Sequence, residues 1–318
     1  MQQKKILVTG GAGNIGSALA HKLIADKNNF VIIVDDLSTG NLEKLPSKDT
    51  ENFRFVKADC NDYSQLSSIM YANNFDYVFH FAAVVGVART QSNPLAVLND
   101  IDGIKNILSL SKNCGVKHVY FSSSSEVYGE PVEIPQNEYK TPLNSRVPYA
   151  VVKNVGECFF RSYWQEFHLP YTIFRFFNTY GPNQSADFVI PRFLTEALKN
   201  NPIQIYGDGS QTRTFTYVDD TIDTIVEIFN KELLKNDVLN IGSDKLYTVL
   251  DLAKKIIEIT KSKSEIKYLP PLKEGDMTRR QPDNSKMREI LNRPLVPLEE
   301  GIVRLMNDKL FLQLSGLK

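Results

Sequence analysis

Tyr149 and Lys153 stand four residues apart in Tyr149-Ala150-Val151-Val152-Lys153, which places both on one face of a helix. A free phenol titrates near pH ~10, so tyrosine serves as a base at neutral pH only where positive charge favours phenolate. An ammonium one helical turn away is one source of that charge. Just upstream, Ser122-Ser123-Ser124-Ser125-Glu126-Val127-Tyr128-Gly129 follows a strand pattern. Ser124 in that run can hold a substrate hydroxyl while Tyr149 takes its proton.

The acceptor for the accompanying hydride is implied by Thr9-Gly10-Gly11-Ala12-Gly13-Asn14-Ile15-Gly16, a GxxGxxG loop between a strand pattern and a helix pattern. Gly10, Gly13 and Gly16 permit a tight turn and a close backbone approach to a pyrophosphate. Asn14 and Ile15 open the helix, whose positive N-terminus faces that group. Asp35 ends the second strand pattern about 20 residues further on, where an acid accepts ribose hydroxyls and repels a 2′-phosphate. Neither Asp36 nor Leu37 supplies a cation there, so the loop predicts NAD rather than NADP. The positive nicotinamide ring would add to the charge acting on Tyr149. Asp59 either bonds the adenine amino group or caps the next helix, and Ala82 either borders the cofactor or simply packs.

These groups need a scaffold, and the first half of the chain reads as one. Strand patterns at Ile6–Val8, Val31–Val34, Phe53–Ala58, Tyr77–Phe81, His118–Ser122 and Tyr171–Phe176 alternate with helical patterns, notably Ser64–Ala72 and Pro94–Cys114. That alternation predicts an α/β fold, a Rossmann-like doubly wound parallel sheet. Residues 1–176 are expected as the NAD-binding domain. Residues 177–318, richer in Pro and Gly punctuation, are expected as a smaller mixed α/β substrate lobe, parts of which have room to fold back onto the first. Helical patterns there cover Pro191–Asn200, Thr221–Lys231 and Val249–Lys261.

The 318 residues carry 37 Lys plus Arg against 37 Asp plus Glu, a balance that disfavours a broad nucleic-acid surface. No apolar run approaches the roughly 18 residues of a spanning helix, and no secretory leader is evident, so neither a membrane nor export is expected. Cys60, Cys114 and Cys158 form no CxxC pair, which fits a reducing compartment; a cytoplasmic location is the expectation. His80 reads as a packed strand residue, and His21, His118 and His168 lack metal-ligand spacing, so no metal site is predicted.

Over nearly its whole length the chain resembles the extended short-chain dehydrogenase/reductases, the nucleotide-sugar epimerase/dehydratase group. The resemblance rests on Gly10, Gly13 and Gly16, Asp35-Asp36-Leu37-Ser38-Thr39-Gly40, and Ser124 with Tyr149 and Lys153. It continues through Arg175-Phe176-Phe177-Asn178-Thr179-Tyr180-Gly181-Pro182, Tyr206-Gly207-Asp208-Gly209-Ser210-Gln211-Thr212-Arg213 and Asn240-Ile241-Gly242. It implies oxidation of a nucleoside diphosphate sugar, usually at C4, by tightly held NAD. It further implies that Asn178 contacts sugar or diphosphate, that Ile190 and Tyr206 line the nucleobase pocket, and that Arg213 with Arg279 or Arg280 binds the diphosphate. A homodimer through the Pro94–Cys114 and Tyr149–Trp164 helices is also implied, with Phe159, Phe160 and Trp164 either in that interface or packed internally.

A C4 ketone has four fates: return of hydride to the other face, loss of a C5 carboxylate, loss of water across C5 and C6, or release. The leading expectation is an epimerase or dehydrogenase; the alternatives are a UDP-glucuronate-type decarboxylase and a 4,6-dehydratase. Glu126 departs from the simple epimerases, and Ser-Glu-Val-Tyr-Gly resembles decarboxylases and GDP-mannose dehydratases, in which this acid works on C5 or the leaving group. It either acts directly or orients Tyr128 or an arginine. Ser125 stands where dTDP-glucose dehydratases have Asp, and Asp100 stands where many epimerases have Asn. Gly275–Asp283 lies between epimerase-like and decarboxylase-like patterns. A reading of another class is a catalytically silent NAD-binding sensor.

Overall fold

A computed structural model describes residues 3–271 and 279–317; of the Gly275–Asp283 run, residues 275–278 lie outside the described residues. Strands β1 (Lys4–Thr9), β2 (Asn29–Asp35), β3 (Phe53–Lys57), β4 (Tyr77–His80), β5 (His118–Ser124), β6 (Tyr171–Phe176) and β7 (Asp237–Ile241) form one sheet. Their order in space is β7-β6-β5-β4-β1-β2-β3, and every neighbouring pair is parallel. The helices that bear on the site are α1 (Asn14–Ile24), α2 (Tyr63–Asn73), α3 (Val87–Ser92), α4 (Pro94–Leu98), α5 (Asp100–Asn113), α6 (Pro148–Phe167), α7 (Val189–Leu198) and α8 (Val218–Lys231).

The strands are nearly continuous apolar runs because both faces of the sheet are covered. Side chains alternate between two cores. Ile6, Val8, Val31, Ile33, Phe79 and Phe174 join Leu19 and Leu23 of α1 and Ile225 and Phe229 of α8. Leu7, Ile32, Val34, Val78, Phe121 and Ile173 join Leu66 and Met70 of α2, Ile107 of α5 and Phe160 of α6. Chain order reverses between β1 and β4, and a ligand crevice opens outside the carboxyl ends of strands at such a reversal.

One sequence reading changes and two open ones take a definite form. The Pro94–Cys114 pattern is not one helix: α4 and α5 are parted at Asn99, where the Asp102 N–H bonds the Asn99 carbonyl at 2.9 Å. Asp100 there turns inward and accepts the Val84 N–H at 2.7 Å. The seventh strand, β7, comes from well beyond residue 176, so the later half of the chain supplies an edge of the first half's sheet. Phe160 is packed internally, Phe159 sits half-buried against the same core, and Trp164 remains exposed. Among the described residues no helix is long and apolar enough to cross a membrane.

Helix α6 is fixed by a buried polar network. Arg175 on β6 donates from Nε and Nη2 to the two Glu157 oxygens at 2.8 and 2.7 Å. Ser123 on β5 donates to Glu157 at 2.7 Å, and Arg175 Nη1 reaches the Tyr128 hydroxyl and the Glu138 carbonyl at 2.8 and 3.1 Å. Tyr128 in turn donates to Asn240 of β7 at 2.8 Å.

Removing one partner of a buried ion pair leaves the other charge uncompensated, so Glu157→Gln should lower unfolding free energy by about 3–5 kcal/mol in urea titration. A second expectation concerns His118, which is buried against Tyr120 and bonded to Thr172 at 2.9 Å; burial pushes its imidazole down to about 4. The unfolded chain, titrating near about 6.5, then binds the extra proton, so this contribution is present above that pH and is lost as pH falls towards 4. Between pH ~7.5 and ~5 the wild type should lose about 2 kcal/mol more stability than His118→Gln.

Candidate functional site

One cavity of about 630 Å³ runs along the carboxyl ends of β1 to β6. Its wall includes Gly10, Gly13, Asn14, Ile15, Gly16, Asp35, Asp59 and Ala82 at one end and Asn178, Ile190, Tyr206, Arg213 and Arg280 at the other, with Ser124, Glu126, Tyr149 and Lys153 also lining it. The sequence-predicted residues are therefore brought together, with one exception. Arg279 is exposed and outside the wall, while its neighbour Arg280 is buried within it.

At the glycine end, Gly10 holds φ +67°, and a Cβ there would stand 2.6 Å from the Ala82 backbone nitrogen. A side chain at Gly16 would collide with the Gly10 carbonyl oxygen. The loop is thus compressed against the end of β4, and α1 follows Gly13 as its N-cap residue, with no side chain capping its first N–H groups. The Asn14 side-chain oxygen is buried without a partner beside these donors. A bare backbone cradle at a helix N-terminus, with an orphaned polar atom beside it, fits a pyrophosphate. Asp35 accepts the Ala12 and Leu37 N–H groups, both at 2.9 Å; burial raises its carboxyl and those two bonds oppose the rise. Asp59 accepts the Asn61 N–H at 2.8 Å and faces the cavity; the cap of α2 is Asp62 instead.

Tyr149 and Lys153 sit between. Pro148 opens α6, and Gly156 lets the helix approach β5, since a Cβ there would lie 2.5 Å from the Phe121 ring. Lys153 is buried, donates to Ser122 at 3.3 Å and has its Nζ 5.7 Å from the centre of the Tyr149 ring. Burial lowers its ammonium to about 8, opposed by the Asp100 carboxylate. Burial also raises the Tyr149 phenol, Glu126 adds to the rise, and a Ser124 hydrogen bond works against it. Among the chain's own influences on Tyr149, desolvation is the largest. His80 is packed as expected, bonded to Thr9 at 2.9 Å and held down to about 3 by burial. Among the described residues no cluster of His, Cys, Asp and Glu has metal-site geometry.

Glu126 pairs with Arg280 at 3.1 Å, bringing together residues far apart in the chain. Tyr128 points away into the Arg175 network, so of the two partners expected for Glu126 the arginine is the one it meets. Arg280 keeps a buried Nε with no partner. Asn178 donates to the Thr214 carbonyl at 3.1 Å, and Ile190 is buried on α7.

Lys44, Arg89, Asp100 and Arg192 also line this wall. The departure at Asp100 was visible in the sequence, but its place beside Lys153 was not. Arg192, with its guanidinium 5.6 Å from the Tyr206 ring and a buried unpartnered Nε, was one charged residue in a helical pattern. Nothing local marked Lys44 or Arg89.

The sequence model of the NAD dependent epimerase/dehydratase family matches residues 6–242. A UDP-N-acetyl-alpha-D-glucosaminuronate decarboxylase of Bacillus cytotoxicus is 34% identical, covering 94% of this chain and 96% of its own. The crystal structure of a UDP-glucose 4-epimerase from Thermotoga maritima with UDP-glucose is 35% identical, with TM-score 0.88 over 95% of this chain and 97% of that one. A UDP-glucose 4-epimerase of Thermus thermophilus in complex with NAD is 26% identical, with TM-score 0.87 over 96% and 99%. The family model over most of the chain and these full-length likenesses show that the chain belongs to the NAD-dependent epimerase/dehydratase family.

Proposed function

We propose that this chain oxidises a UDP-linked hexuronate at C4 and then releases its carboxylate as carbon dioxide. The observation that carries the reading is the Glu126–Arg280 pair at 3.1 Å, set in the same wall as Tyr149. NAD, when bound, supplies the hydride acceptor for C4. Ser124 holds the C4 hydroxyl, Tyr149 removes its proton, and Lys153 holds positive charge beneath the phenol's side of the site. A C4 ketone places the C5 carboxylate β to a carbonyl. The C5–C6 bond then breaks, its electron pair moves into the ketone as an enolate, carbon dioxide leaves, and C5 takes a proton.

Arg280 suits the carboxylate before it leaves, because its buried Nε has no protein partner. Glu126, bonded to that arginine, suits the proton traffic at C5. Dehydration is less well served, since Ser125 stands where a second acid would protonate the departing hydroxyl. Arg213 and Arg192, both on the wall, suit the diphosphate. The Bacillus cytotoxicus likeness supports a uronate substrate, and the reducing, cytoplasmic setting read from the cysteines belongs to the same proposal. So does a homodimer through α4 to α6, where Leu95, Leu98 and Trp164 remain exposed.

A second reading, 4-epimerisation, is favoured by the Thermotoga maritima likeness; there Glu126 and Arg280 would only brace the wall. Product mass separates the two. UDP-glucuronate and UDP-N-acetylglucosaminuronate should lose carbon dioxide, whereas unchanged mass with an inverted C4 would favour the epimerase. Inertness towards uronates and neutral UDP-sugars alike would favour the silent sensor. Tyr149→Phe should cut turnover by about 10²–10⁴-fold while NAD binding, read by calorimetry, persists. Glu126→Gln should slow carbon dioxide release by about 10²-fold, with less effect on C4 oxidation.

A further inference from the structure

Lys44 lies at the end of a short turn, Leu42–Lys44, and its side chain is 6% exposed yet lines the cavity. Its backbone is held on three sides. Lys44 N–H bonds the Asn41 carbonyl at 3.1 Å, Asn41 N–H bonds the Ala12 carbonyl at 3.1 Å, and His21 meets the Lys44 carbonyl at 3.0 Å. The turn is therefore tied to the glycine loop itself. Among the described residues no carboxylate lies within ion-pair distance of the Lys44 ammonium, and no oxygen accepts a hydrogen bond from it. A buried cation without a protein acceptor, opening onto a polar cavity, is a group arranged for a ligand.

Its neighbour identifies the subsite. Asp35 and Lys44 act on each other through space, the carboxylate opposing the loss of charge that burial imposes on the lysine. Asp35 is also the residue at the end of β2 where the adenosine ribose of a dinucleotide is held. One of its oxygens accepts the Ala12 N–H and the other the Leu37 N–H, so part of its negative field is already taken up by backbone donors. An unopposed carboxylate at this place excludes a 2′-phosphate by repulsion. Here the carboxylate and the ammonium sum to zero charge.

We propose that Lys44 is a phosphate ligand at the adenosine-ribose end of the cavity, so that the site accepts NADP as well as NAD. The inference rests on the dinucleotide reading of this cavity and is independent of what becomes of the sugar. It extends the reading of Asp35, Asp36 and Leu37, in which no cation was in sight: the cation arrives from the turn that follows.

Equilibrium binding of NAD and of NADP to the purified chain, by titration calorimetry, tests it without any turnover. The wild type should bind NADP within about tenfold of NAD. Lys44→Met, which keeps the aliphatic stem, should weaken NADP by roughly ten- to a hundredfold, the worth of one charge-assisted contact, and weaken NAD much less. Lys44→Arg should restore NADP binding. A wild type that rejects NADP by more than about tenfold would overturn the proposal whether or not any variant folds, because an acid repelling the 2′-phosphate would then stand unopposed. An unchanged NADP-to-NAD ratio in Lys44→Met would also overturn it. Failure to bind either dinucleotide would remove the cofactor reading of the cavity and this inference together.

Discussion

Helix α6 carries both Tyr149 and Lys153, and where it lies is decided by the doubly bonded contact between its Glu157 and Arg175 of β6. Both side chains are essentially out of solvent, so the pair bears a desolvation cost that only saturated bonding offsets. Saturation is what surrounds it: the Ser123 hydroxyl, the Tyr128 hydroxyl and the Glu138 carbonyl complete the arrangement. Ser123 is the residue before Ser124, and Tyr128 closes the short turn that carries Glu126. One ion pair therefore sets the helix bearing Tyr149, the strand end bearing Ser124 and the turn bearing Glu126. Gly156, beside Glu157, lets the helix come close enough for the contact to form.

The same burial that gives this geometry shapes the electrostatics of the wall. It lowers the Lys153 ammonium and raises the Tyr149 phenol, and Glu126 pushes the phenol further up. Burial, reinforced by Glu126, thus holds Tyr149 protonated, while the Ser124 hydrogen bond and the Arg280 guanidinium work the other way. In the proposed reaction the positive nicotinamide ring of NAD would favour the phenolate, so proton removal would go with an oxidised cofactor. Asp100 takes part from the other side by favouring the charged form of Lys153. Glu126 and Arg280, facing each other at 3.1 Å, put a carboxylate and a guanidinium in the same cavity wall without adding net charge.

The features legible in the sequence are those whose physics is local. A glycine loop between a strand and a helix, an acid at the end of β2, and a tyrosine and a lysine one helical turn apart all declare themselves within a short window. The first six strands do so as well, because sheets covered on both faces leave unbroken apolar runs. What stayed hidden depends on pairing across long separations. Nothing in Asp237–Ile241 announces that it will lie beside β6, and nothing near Glu157 points to Arg175. Arg279 and Arg280 are adjacent and chemically identical in sequence; the packing of one against Glu126 distinguishes them. Asp59 and Asp62 are equally good helix caps by composition, and the backbone chose Asp62. The interruption at Asn99 and the arrival of Lys44 at Asp35 are likewise products of the folded loop.

The proposed reaction requires hydride to leave C4 as Tyr149 takes the hydroxyl proton. Single-turnover reaction of the chain and NAD with UDP-glucuronate carrying deuterium at C4 measures this directly. A primary isotope effect on the appearance of the reduced cofactor's absorbance, absent for deuterium placed at C3, is the result expected. Equal rates for the two labelled sugars, or carbon dioxide released with no change in cofactor absorbance and the C4 label untouched, would contradict it.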